Sequence, residues 1–96
     1  MVSDEFAADQ WAEREVTQIV PHLPGAYGAH IQETADAGWG IAALTSALLD
    51  YPGAFAEATV EQLKSVLSNL PANDVHRQVG LGAVDAYWCE ANATTP

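Results

Sequence analysis

The chain has 96 residues, of which only Arg14, Lys64 and Arg77 are basic against thirteen Asp and Glu, giving a net charge of −10. Hydrophobic residues make up 49% and charged residues 17%. That is enough apolar material for one modest core; it excludes a disordered chain and leaves no room for a second domain, so residues 1–96 are read as a single helical domain. The negative field disfavours direct attraction to a nucleic-acid backbone and favours approach to a basic surface, including one on a nucleic-acid-binding protein.

The first predicted helix starts at a Ser3 cap, carries Asp4 and Glu5 in the turn where the helix dipole favours negative charge, and runs to about Val20. Ala8, Ala12, Val16, Ile19 and Val20 recur at helical spacing, Asp9, Glu13 and Thr17 line the adjacent face, and Phe6 and Trp11 fall outside the tight stripe. Pro21 and the pair Pro24-Gly25 end it, because the proline ring clashes with the preceding turn.

A second helix is expected from about His30 to Leu49. It contains an uncharged run, Ala37 to Leu49, that is too short to cross a bilayer, which takes about 20 apolar residues. Apolar residues surround its second half, as in a central helix contacted from several sides, and Trp39 is assigned to the core. Gly38 and Gly40 predict a bend at Trp39 or a neighbouring backbone in close contact. Asp50-Tyr51-Pro52-Gly53 reads as the exit turn, and Pro52 to Ala58 has room for a helical turn of its own.

Thr59-Val60-Glu61-Gln62 has the form of a capping box, which places the start of a third helix at Val60. Its stripe is Val60, Leu63, Val66, Leu67 and Leu70, and Pro71 closes it. Asn73 or Asp74 caps a fourth helix with Val75, Val79, Ala83 and Ala86 on one face, weakened by Gly80 and Gly82. Residues 91–96 have nothing to bury and are expected to fray. With no alternating run long enough for a strand, the expected fold class is all-α, a small bundle of about four helices.

Chemistry-bearing residues are few. His22, His30 and His76 lie in no metal-binding spacing, so no metal is expected, and the Gly-rich stretches GAYG, GWG and GLG match no phosphate-binding pattern, so no cofactor is expected. Cys89 follows Tyr87-Trp88 without a cationic neighbour to activate it and reads as a packed small hydrophobe. A lone cysteine excludes an internal disulfide, and MVSDEFAADQ lacks the basic and apolar regions of a secretory signal, so the expected location is cytoplasmic, without membrane insertion.

These residues predict a small, acidic, non-enzymatic protein that binds another protein and masks its basic surface, as a regulator or inhibitor encoded by a phage or other mobile element would. Asp4, Glu5, Asp9, Glu13 and Glu15 would steer the encounter, and Phe6 or Trp11 would anchor it. Two alternatives belong to other classes. One is a homodimeric structural or assembly component packed through the apolar helix, which four helices permit but do not require. The other is a small enzyme or metal binder using His30, His76 and Cys89, which requires those side chains to converge.

Overall fold

The computed structural model describes residues 4–93, with side chains described over residues 7–89. It is all-α, with five α-helices where the sequence predicts four: α1 (Asp4–Ile19), α2 (Gly25–Asp36), α3 (Gly40–Asp50), α4 (Glu57–Ser68) and α5 (Val75–Ala93). No strand occurs among the described residues, and among them no helix is long and apolar enough to cross a membrane.

Helix α1 buries Ala8, Ala12, Val16 and Ile19, the stripe its spacing predicts. The Ser3 cap lies outside the described residues. A single 3-10 turn at Val20–His22, with Pro21 near its start, ends in the extended residue Leu23, which is buried. The chain then enters α2 five residues earlier than His30. Pro24 occupies the N-cap position, and its carbonyl accepts from the Gly28 N–H at 2.7 Å, so the GAYG stretch forms the first helical turn and places Tyr27 on it.

The predicted second helix is in fact two. Gly38 adopts a φ of 100°, and the Gly38 and Trp39 N–H groups donate to the carbonyls of Ala35 and Thr34 at 3.0 and 3.2 Å. This pair of bonds is a Schellman motif, in which a left-handed glycine terminates a helix and satisfies its last carbonyls. The chain restarts at Gly40, where a Cβ would collide with the carbonyl oxygen of Asp9 on α1. The bend and the close backbone approach predicted for this segment therefore both occur, one at each glycine.

Helix α3 is the centre of the bundle, packed by α1, α2 and α5, with Ile41, Ala43, Leu44, Ala47 and Leu48 buried. Its apolar circumference is therefore largely covered within one chain. Asp50 ends the helix and a second 3-10 turn follows at Pro52–Ala54, ending in buried Phe55.

Helix α4 starts at Glu57, three residues before the expected start at Val60. Ala56 is its N-cap, and the Thr59 N–H donates to the Ala56 carbonyl at 3.0 Å, so Thr59 lies inside the helix and caps nothing. Val60, Leu63, Leu67 and Leu70 are buried as predicted. Asp74 caps α5 through Oδ1, which accepts from the His76 N–H at 2.8 Å.

The inward face of α5 differs from the expected one. Gly80, Ala83 and Val84 are buried, with Tyr87 half-buried one turn on, whereas Val75, Val79 and Ala86 are exposed. The reason is the fit to α4, where the Leu67 methyl groups would lie 2.7 and 2.8 Å from a Cβ at Gly80. A glycine carries no apolar signal, yet its lack of a side chain admits Leu67 and turns the valines outward. Helix α5 continues through Ala93, and residues 94–96 lie outside the described residues.

Candidate functional site

The rotation of α5 creates the most distinctive surface of the molecule. Trp39, at the N-cap of α3, is 56% exposed, Leu49 53%, Val75 63% and Val79 54%. Trp39 thus does not belong to the core, because the Schellman turn lifts it off the helix face on which a continuous helix would place it. Its indole meets the His76 ring at 5.9 Å between centroids. Between the two helices lies a cleft of about 130 Å³ lined by Ala42, Thr45, Ser46, Leu49, His76 and Val79. Helical spacing explains this lining: Ala42, Thr45, Ser46 and Leu49 fall on successive turns of one face of α3, as His76 and Val79 do on α5. Thr45 is buried, and its hydroxyl has no hydrogen-bond partner. Exposed apolar area of this kind, gathered around a cleft, is what a binding surface presents to solvent.

The residues selected on α1 are placed differently. Asp4, Glu5 and Phe6 lie in the first turns of α1, with side chains outside the described residues. Asp9 is half-buried, and its Oδ1 accepts from the Ile41 N–H at 3.0 Å. It therefore supplies from another helix the cap that Trp39 does not provide, at the positive end of α3. Asp9→Ala should lower stability by about 1–2 kcal/mol in urea melts, the usual loss on removing such a cap. An unchanged midpoint would show that the bond contributes nothing. Glu13 and Glu15 are half-buried on α1. Trp11 is half-buried against the core, where it lines a shallow depression with Ala7, Ala8, Val66 and Asn69.

The three residues of the enzyme or metal-binding alternative are not brought together. His30 is exposed on α2, and His76 and Cys89 lie on the same helix thirteen residues apart, which corresponds to about 20 Å along its axis. No group of three or more His, Cys, Asp or Glu among the described residues is placed to hold a metal ion. Cys89 is exposed, not packed, because the inward face of α5 passes through Gly80, Ala83 and Val84.

One side chain away from the exposed patch has a perturbed acidity. The Tyr27 hydroxyl donates to Asp50 Oδ2 at 2.8 Å, with the Ser46 carbonyl 3.1 Å away, and its ring meets Tyr51 edge-on at 4.8 Å. Burial, and then the adjacent Asp50 carboxylate, raise its pKa well above the ordinary tyrosine value. The folded state therefore holds this proton more tightly than the unfolded chain does. The resulting stability is fully present below about pH 10, the unfolded value, and is lost as pH rises through the higher folded value. Spectrophotometric titration should show a phenol resisting ionisation above about pH 10, and Tyr27→Phe should remove it. A Tyr27→Phe titration that differed only in amplitude, with the late component retained, would contradict the assignment.

Sequence reasoning missed the patch because hydropathy directs Trp39, Val75 and Val79 inward. The dipeptide Gly38-Trp39, following an Asp-Ala helix end, is the signal that identifies it: a glycine at that position terminates a helix. Compared with protein families, with curated proteins and with solved structures, the chain matches none.

Proposed function

We propose that this chain is a small non-enzymatic regulator that binds another protein and masks a basic surface on it, such as that of a nucleic-acid-binding protein. The reading rests on charge: thirteen carboxylates against three basic side chains. Some of these carboxylates occupy positions that local stability disfavours. Asp36 and Asp50 are the last residues of α2 and α3, and Glu33 lies in the last turn of α2. Negative charge at a helix C-terminus opposes the dipole, at a typical cost of about 0.3–1 kcal/mol. Gln32 and the Tyr27 hydroxyl offset this at Asp36 and Asp50 by donating to their carboxylates, so it is the excess of carboxylates as a whole that supplies a long-range field able to steer a cationic partner.

The test is capture of binding proteins at low and high salt, followed by kinetics on the purified partner. A basic partner released by salt is expected. Glu33→Lys combined with Asp36→Lys should slow its association and flatten the salt dependence while leaving dissociation nearly unchanged, since rim charges act on the on-rate. If this variant binds with unchanged kinetics at both salt concentrations, the acidity serves solubility and the masking role is wrong. Tight binding of the chain to bare duplex DNA would also overturn it.

A further inference from the structure

We infer that the exposed apolar face between α3 and α5 is the docking site for a cationic amphipathic helix of a partner protein, with one aliphatic side chain of that helix seated in the cleft between Leu49 and Val79. This inference rests on the basic-partner reading above and names the surface that executes it. Leu49 and Val79 line a cleft of about 130 Å³ between two adjoining helices, Trp39 meets the His76 ring on its wall, and Val75 is exposed one turn before Val79. The cleft volume is close to the roughly 150 Å³ at which an apolar cavity accepts a benzene ring, so one branched aliphatic side chain fits. A groove between two helices with apolar residues along both walls suits a helix that presents anchors at successive turns.

Charge decides between occupants. A second copy would carry the same net charge of −10, and long-range repulsion between the two copies opposes pairing through a patch this small. A helix with lysine or arginine beside its apolar stripe meets the opposite situation. Glu33 and Asp36 precede Trp39 at the end of α2, so carboxylates adjoin the patch in the chain on that side. The apolar residues would hold the helix once docked, and the carboxylates would guide and orient it.

The experiment uses the full chain and a tryptophan-free Leu/Lys amphipathic peptide of about 18 residues, long enough to be helical. Its control replaces every lysine with glutamine. Binding is read by calorimetry and by tryptophan fluorescence. The Leu/Lys peptide should bind, and the Leu/Gln peptide should bind at least about tenfold more weakly. Leu49→Ser with Val79→Ser leaves the net charge unchanged and should weaken the Leu/Lys peptide by about tenfold or more, as should Trp39→Ala. These side chains are exposed, and circular dichroism of each variant verifies the fold. Glu33→Gln with Asp36→Asn should weaken binding and reduce its salt dependence.

If the Leu/Lys peptide binds in a salt-dependent manner but is insensitive to Leu49, Val79 and Trp39, the docking site is wrong while the basic-partner reading stands. If neither peptide binds, the helix-docking inference is wrong, and the salt-dependent capture described above decides the basic-partner reading separately. Sedimentation that shows a dimer abolished by Leu49→Ser with Val79→Ser would assign the face to a second copy and overturn the inference. Partition onto phosphatidylcholine vesicles that is lost in the same variant would assign the face to a lipid surface and overturn it likewise.

Discussion

Gly40→Ala should destabilise the protein by about 3 kcal/mol or more, at the upper end of what overpacking costs, and lower the melting temperature by about 12 °C or more. The added methyl would collide with the Asp9 carbonyl oxygen and lie 3.0 Å from the Glu13 nitrogen and 3.1 Å from the Asp9 carbonyl carbon, all backbone atoms of α1. Backbone cannot rotate aside as a side chain does, so α1 would have to move away from α3, breaking the Asp9 to Ile41 bond as it goes. Gly82→Ala is the matched control. Nothing lies within 4 Å of a Cβ there, and the position is exposed in the interior of α5. It should gain about 0.5–1 kcal/mol through helix propensity. Chemical denaturation of the two variants reads both effects, and equal responses would refute the account of the α1–α3 contact.

Leu48→Ala should cost about 2–5 kcal/mol, because the side chain is fully buried in the central helix and its removal leaves a cavity. Trp39→Ala deletes more atoms yet should cost under about 1 kcal/mol, because over half of the indole surface is already in water. The order is the reverse of what residue size predicts. A Trp39→Ala variant as unstable as Leu48→Ala would return the indole to the core and remove it from the docking face.

The helices whose apolar residues follow a single stripe were legible from the sequence. Ala8, Ala12, Val16 and Ile19 on α1, and Val60, Leu63, Leu67 and Leu70 on α4, are buried as their spacing requires. What was not legible depends on groups that hydropathy does not register. Gly38 was legible as a bend but not as the end of one helix, which its backbone angle imposes, and Gly80 selects the inward face of α5 by offering a hollow to Leu67. Asp9 resembles a surface acid by position, and its partner amide is 32 residues away. The exposed Trp39, Val75 and Val79 follow from the two glycines, so that patch was missed together with them.

The cap that Asp9 places on α3 makes the N-terminal helix a condition for the integrity of the middle of the chain. Helix α3 has no side-chain cap of its own and is eleven residues long, shorter than the roughly 12–15 at which an isolated helix becomes even marginal in water. Detachment of α1 would uncover the face of α3 that it packs against and release the Ile41 amide in one event. Hydrogen exchange at that amide therefore reports the opening of the whole α1–α3 unit, and these two helices should unfold as one cooperative unit although about a fifth of the chain separates them.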